Sequence, residues 1–208
     1  MGDAALLVEL GAVIDETLNA QVHALARVLE EIPGVAETVP GYASLLVEFD
    51  PARLSADVLE EQIQRALVQP APVVSSHARV IEIPTRYGGE FGPDLEFVAR
   101  HNHLSVAEVI QLHTSRPFRV FMLGFTPGFP YVGPLPESIA APRLETPRAK
   151  VPAGSVGIAG RQTGIYPRES PGGWRLIGRT EVSLFDSTRD PPALLRPGDY
   201  VRFSLVVE

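Results

Sequence analysis

The chain has 208 residues, 45% of them apolar and 21% charged, a composition typical of a globular protein with a substantial core. It contains no cysteine, which excludes disulfides, thiolate metal sites and cysteine nucleophiles. Residues 1–79 carry 12 acidic and 4 basic side chains (−8) and residues 80–208 carry 13 and 14 (+1), which together give the net charge of −7. We therefore expect two regions with different surfaces and no general nucleic-acid binding. Without an apolar stretch of about 20 residues or a basic leader, we predict a cytoplasmic protein that does not bind membranes.

The first region alternates strand and helix patterns. Residues 5–10 are β-prone, and the next apolar residues recur at helical spacing up to Pro33-Gly34. Two short strands, 35–39 and 44–49, are joined by the turn residues Pro40-Gly41-Tyr42. Ser55 then caps a second amphipathic helix. The apolar positions of the two helices are Leu18, Val22, Leu25 and Leu29, then Leu54, Val58, Leu59, Ile63, Ala66 and Leu67.

The order strand, helix, strand, strand, helix predicts a small ferredoxin-like α/β domain if residues 79–83 supply a returning fourth strand. Linker composition at 69–72 (Gln-Pro-Ala-Pro) and at Ser75-Ser76 places the boundary near residue 80. The predicted domains are therefore 1–79 and 80–208.

Two tandem helices open the second region. Pro93-Asp94 begins a short one, and Ser105 with Glu108 forms a capping box that begins the next, over 106–113. A helix-turn-helix DNA reader is the alternative to simple packing, but the second helix is apolar and acidic where contacts with phosphates need bases. We therefore favour packing.

From Phe118 onward, short β-prone runs are separated by Gly and Pro, which predicts a barrel or a sandwich. The predicted strands are 118–123, 155–159, 174–177, 182–185 and 200–207. Together with the first region, this gives an α+β fold.

Three segments between residues 121 and 180 are the most distinctive. The first alternates aromatic rings with Gly and Pro and predicts a stiff loop that presents Phe125, Phe129 and Tyr131, as a binding wall or as packing at a barrel end. The second brings Arg148 and Lys150 before a strand, cations suited to a carboxylate or a phosphate. The third places polar groups between glycines: Gln162, Thr163, Tyr166 and Arg175.

These motifs resemble the family of 5-oxoprolinase B subunits (PxpB/KipI), which is similar to allophanate hydrolase subunit 1 and to carboxyltransferase-type domains. The resemblance is strong over residues 80–208 and holds in pattern only before them. The matching segments are 83–89, 92–95, 112–113, 124–131, 151–158, 162–167, 170–180, 184–186 and 195–199.

The resemblance implies a cyclophilin-like β-barrel after the small α/β domain. It also implies a non-autonomous subunit of a complex that opens 5-oxo-L-proline to L-glutamate at the expense of ATP. The implied partners are a homologous C subunit (KipA or allophanate hydrolase subunit 2-like) and an A subunit (LamB/YcsF-like). Some family members are described instead as inhibitors of a sensor histidine kinase, which is the alternative function. A peptidyl-prolyl isomerase is suggested by the fold type alone.

The sequence contains no motif that indicates a complete catalytic site. It has no Gly-x-x-x-x-Gly-Lys-Ser/Thr phosphate loop and no Gly-x-Ser-x-Gly elbow, so ATP is expected at the level of the complex, and no cofactor or catalytic residue is assigned here. The spacing of His101, His103 and His113 does not favour a metal site. One hypothesis is that these residues bind a small carboxylated amide between an aromatic wall and polar groups. The equally weighted alternative is that the same groups have a structural role. The candidate substrate-binding residues are Phe125, Phe129, Tyr131, Arg148, Lys150, Gln162, Thr163, Tyr166 and Arg175.

Overall fold

The computed structural model describes residues 4–68 and 79–207. The chain forms two compact units, Met1–His77 and Ala78–Glu208, each with its own core. The predicted linker segments 69–72 and 75–76 lie outside the described residues, so the boundary near residue 80 stays a prediction. In residues 4–68 and 79–207, no helix has both the length and the apolar character needed to cross a membrane.

The first unit is a three-stranded antiparallel sheet in the order β1-β3-β2, with two helices. Asp15 begins α1 because its carboxylate accepts hydrogen bonds from the Thr17 and Leu18 amides, both at 2.9 Å. Gly41 turns the hairpin between β2 and β3, and its amide donates to the Ser44 carbonyl at 2.7 Å. The bounds are β1 Ala5–Glu9, α1 Glu16–Glu30, β2 Val35–Pro40, β3 Ser44–Phe49 and α2 Ala56–Val68.

The predicted fourth strand of this sheet is wrong. Residues 80–87 form β4 (Val80–Tyr87), which pairs with two strands of the second unit instead. A strand's own sequence specifies alternation and not its partner, so the pairing is decided by contacts distant in sequence. A ferredoxin-like fold of the first unit therefore stays unconfirmed, whereas the α+β class is confirmed.

Seven strands of the second unit close into a barrel in the order β11-β4-β12-β5-β6-β9-β8. Only β4 and β12 are parallel among these pairs, and β10 pairs with β7 as a separate ribbon. The barrel prediction is confirmed, and its likeness to cyclophilin stays a prediction. The bounds are β5 Phe118–Leu123, β6 Pro130–Gly133, β7 Arg148–Val151, β8 Ser155–Ala159, β9 Gln162–Ile165, β10 Ser170–Gly172, β11 Arg175–Arg179 and β12 Tyr200–Leu205.

The strand predicted over residues 182–185 is wrong. Within the described chain this segment makes a single isolated bridge, between Phe185 and Ala193, and is otherwise irregular. Its β-prone side chains contribute to the core instead, since Leu184 is buried there. Burial, and not strand pairing, explains the apolar run.

Two helices, α3 (Leu95–His101) and α4 (Val106–Thr114), pack beside the barrel. The predicted capping box is confirmed: the Ser105 hydroxyl accepts from the Glu108 amide, and the Glu108 carboxylate accepts from the Ser105 amide at 2.7 Å. Val109 and His113 of α4 are fully buried, which confirms that this helix packs with its apolar face.

Candidate functional site

Four of the predicted site residues meet in one aromatic cluster beside the barrel. The Phe129 ring is central, and its centroid lies 5.0 Å from Tyr131, 5.2 Å from Tyr166, 5.4 Å from Trp174 and 5.5 Å from Phe125. The rings meet edge to face, the geometry that their quadrupoles favour. The cluster is therefore a packed aromatic unit.

Exposure divides the cluster into a buried base and an accessible rim. Phe129 and Tyr166 are 1% exposed and Trp174 is 6% exposed, whereas Phe125 is 59% exposed at the tip of its loop. Phe125 also has a positive φ of 61°, which few bulky residues adopt. The base of the cluster is packing, whereas Phe125 and the half-buried Tyr131 are accessible, so a binding wall formed by them stays a prediction.

Glycine makes room for this cluster on strand β9. A Cβ on Gly164 would lie 2.8 Å from Phe129 Cζ, closer than real Cβ atoms approach, and 3.0 Å from Trp174 Cζ3, a tight contact. Gln162 lies two residues before Gly164 and therefore on the same face of the strand. The amide of Gln162 thus lies on the cluster's side of the barrel wall.

Two predicted cations meet at a buried carboxylate. Arg148 Nη2 donates to Asp94 Oδ1 at 2.9 Å, and Arg175 Nη1 lies 4.0 Å from the same oxygen. Asp94 Oδ2 accepts from the Leu176 amide at 2.7 Å, which is why Asp94 does not cap α3 with its side chain. The Arg175 guanidinium also stacks on Phe97, 3.6 Å from its centroid. Asp94 therefore orients Arg148 by a hydrogen bond, whereas Arg175 is held by Phe97 and by the Pro142 carbonyl.

Arg148 retains one donor that the described residues do not satisfy. Its Nη1 atom is buried without a hydrogen-bond acceptor in the part of the chain that the structure describes. Lys150 differs, because its exposed ammonium pairs with Glu169 at 3.1 Å. Of these two cations, Arg148 is therefore the one held more firmly, by its hydrogen bond to the buried Asp94.

Thr163 lies apart from the other candidates. Its side chain is fully buried, its hydroxyl donates to the Gly157 carbonyl at 3.0 Å, and His113 Nε2 lies 3.0 Å from the same oxygen. Alternation along β9 turns Thr163 toward the barrel interior, opposite to Gln162. The predicted contact between Thr163 and a substrate amide stays a prediction.

His113 occupies the barrel core in a defined tautomer. The Thr163 proton goes to Gly157, so His113 Nε2 donates to the Thr163 oxygen, and Nδ1 accepts from the Tyr87 hydroxyl at 2.7 Å. Burial lowers the pKa of His113 to about 3. Both ring nitrogens are thus used inside the protein, which leaves this histidine no lone pair for a metal.

Burial also controls the two tyrosines of the cluster. It raises the pKa of Tyr131 and of Tyr166, and the nearby Arg143 partly opposes the rise at both. Both phenols therefore stay protonated near neutral pH and act as hydrogen-bonding groups. Arg143 stands over the Trp174 ring, 5.9 Å from its centroid.

Sequence reasoning misses three residues of this region. The local pattern indicates Asp94 only as a helix start, His113 only as a weak metal ligand, and Trp174 only as part of a strand. The protein's one tryptophan inside a Gly-rich motif is the available indication for Trp174. The ion pair of Asp94 with Arg148 spans 54 residues, and no local pattern indicates a contact at that separation.

Comparison with known proteins agrees with this architecture. The family described as carboxyltransferase domain, subdomain C and D, matches residues 1–195. The chain is 46% identical to the 5-oxoprolinase B subunit of Bacillus subtilis, over 100% of this chain and 92% of that protein. It is 47% identical to the 5-oxoprolinase B subunit of Escherichia coli O157:H7, over 98% of this chain and 93% of that protein.

A solved structure shares the fold. The crystal structure of TTHA0988 superposes with a TM-score of 0.85 at 41% identity over 98% of this chain. The present chain spans about 40% of the length of TTHA0988. From the motifs, the barrel and these similarities, the chain belongs to the family of 5-oxoprolinase B subunits, within the carboxyltransferase domain family of subdomains C and D.

Proposed function

We propose that the chain is a non-autonomous subunit of an ATP-dependent 5-oxoprolinase, which converts 5-oxo-L-proline to L-glutamate. The observation that carries this proposal is the similarity to bacterial 5-oxoprolinase B subunits over nearly the full length of both chains. A homologous C subunit and an A subunit complete the complex. ATP is consumed by the complex, because opening a stable lactam needs activation and this sequence has no phosphate-binding loop.

The substrate contacts of this protein lie at the rim of the aromatic cluster. Phe125 and Tyr131 offer an apolar wall, and Gln162 faces the same side with groups that can bond a lactam amide. Arg148 takes the carboxylate, because its side chain is 30% exposed and its Nη1 donor has no acceptor among the described residues. Lys150 is a second cation at the edge, with Phe129 and Tyr166 as support and Arg175 as a positioning residue.

The experiment is ATP-dependent glutamate release from 5-oxoproline, with this chain alone and then with its C and A subunits. Activity is expected only in the mixture. Absence of activity in a mixture shown to assemble would overturn the proposal. The alternative function, inhibition of a sensor histidine kinase, is not favoured by the relatives described above. If the assembled mixture were inactive and this chain bound a histidine kinase tightly, that alternative would become the preferred one.

Gln162→Ala tests the site within the same complex. We expect kcat/KM for 5-oxoproline to fall about tenfold, the value of one hydrogen bond to a bound substrate, while assembly is unchanged. Arg100→Gln is the matched control, because Arg100 is an exposed surface residue whose side chain is 73% accessible. Unchanged turnover of Gln162→Ala would remove Gln162 from the site.

A further inference from the structure

Two arginines lie directly opposite each other on neighbouring barrel strands. Arg86 of β4 and Arg179 of β11 are Cα partners in an antiparallel pair. Directly opposite side chains project from the same face with Cβ atoms about 5 Å apart, and like charges in this arrangement are destabilising. Pro84 and Arg86 face outward on β4, whereas Thr85 between them is buried. The two positive charges therefore share one stretch of the outer surface.

A phenylalanine holds both guanidiniums in place. The Phe91 ring centroid lies 5.5 Å from Arg86 Cζ and 5.7 Å from Arg179 Cζ, within cation–π range of both. Phe91 therefore orders two side chains that would otherwise separate to relieve their repulsion. A favourable contact with the ring keeps the charges together without neutralising them.

Counter-charge within the protein is incomplete at this point. Glu181 lies 3.6 Å from Arg86, but its side chain is 88% accessible, so the pair is weak. Among the described residues, Arg179 takes part in no ion pair. Elsewhere in this sheet, two directly opposite residues carry charges of opposite sign. Glu82 on β4 and Arg202 on β12 are Cα partners, and their side chains lie 3.6 Å apart. At Arg86 and Arg179, by contrast, two like charges are opposite each other, and Glu181 balances at most one of them.

The arginine pair opens onto a cleft of about 550 Å³, within the usual size of small-molecule sites. The rest of the lining is mixed: Pro84, Phe91, Val182 and Val206 are apolar, whereas Thr180 and the exposed Glu181 are polar. We propose that this cleft binds a small molecule carrying a carboxylate or phosphate group, held by Arg86 and Arg179, with its apolar part against the cleft wall. Each guanidinium can present two N–H donors to an oxyanion. The cleft uses none of the residues assigned above to 5-oxoproline.

Binding to the purified full-length chain tests this site without the other subunits. Isothermal titration calorimetry with acetate, benzoate, inorganic phosphate and phenyl phosphate compares the two oxyanions with and without an apolar ring, and benzamide is the uncharged control. We expect saturable binding of benzoate or phenyl phosphate, several-fold weaker binding of the matching ringless anion, and none of benzamide. The stronger of the two ring compounds identifies the group that the site prefers.

Charge-removing variants locate the binding. Arg86→Gln and Arg179→Gln should each weaken the bound anion by about tenfold or more, since each removes charge-assisted hydrogen bonds. Arg202→Gln changes the net charge equally on the same sheet and should leave the affinity unchanged. Equal weakening in Arg202→Gln, or no saturable binding of any anion by the wild type, would overturn the proposal.

Thermal unfolding in low-salt chloride buffer gives a second readout. Arg179→Gln should melt at the same temperature as the wild type or higher, because it relieves like-charge repulsion. The preferred anion should raise the melting temperature of the wild type and not of the variant. A lower melting temperature for Arg179→Gln, with no anion-dependent rise in the wild type, would assign Arg179 a structural role and refute the site.

Discussion

The buried neutral imidazole of His113 makes the stability of the second unit depend on pH. Its folded pKa of about 3 lies below the ordinary value of 6.5, so the unfolded chain binds the proton first as the pH falls. Above about pH 6.5 the histidine is neutral in the folded and unfolded states, so its protonation does not change the free energy of unfolding. Below that pH stability is lost progressively until the folded state also protonates.

The size of the effect follows from the pKa difference. Each pH unit below the unfolded pKa costs about 1.4 kcal/mol, so lowering the pH from about 7.5 to 5 should reduce the free energy of unfolding by roughly 2 kcal/mol through His113. Urea unfolding followed by Trp174 fluorescence measures this term, because the single tryptophan lies in the same unit. Wild-type protein is compared with His113→Gln at both pH values.

We expect His113→Gln to be less stable at pH 7.5 but to lose about 2 kcal/mol less than the wild type on acidification. His101→Gln, which removes an exposed histidine, is the control and should keep the wild-type loss. Equal losses in the wild type and His113→Gln would refute the reasoning. If the variant does not fold, NMR of the wild type decides: a His113 ring resonance that titrates between pH 7 and 5 in the folded protein would refute it equally.

Three further substitutions test the packing by urea unfolding. Ser105→Ala should cost about 1 kcal/mol by removing the cap of α4, and an unchanged midpoint would contradict the capping role. Gly164→Ala should lower the free energy of unfolding by about 2 kcal/mol and shift Trp174 fluorescence, because the new Cβ has no room beside the rings. An unchanged stability would mean that the rings move to accommodate the methyl group. Asp94→Asn should cost roughly 2 kcal/mol by uncharging the carboxylate that accepts from Arg148 and lies 4.0 Å from Arg175, and a neutral result would assign the ion pair no net value.

The sequence by itself determined the position of several helices and strands, because these depend on interactions between residues close together in the chain. Helical spacing located α1, the Ser105 capping box located α4, and the β-prone runs 118–123 and 155–159 match β5 and β8 residue for residue. These features depend on side chains a few residues apart, so a local sequence pattern is enough to predict them. The motifs between residues 121 and 180 also sufficed to identify the family.

Tertiary structure alone decided which partner each strand takes and which way its side chains point. β4 alternates equally well in either sheet, and only pairing with strands roughly 90 to 120 residues later assigns it to the barrel. The short strand β9 is buried on both faces over most of its length, so its sequence cannot tell that Thr163 faces inward and Gln162 outward. The Arg86–Arg179 pair likewise exists only through strand register. A local pattern fixes a period, whereas partner and direction come from contacts distant in the chain.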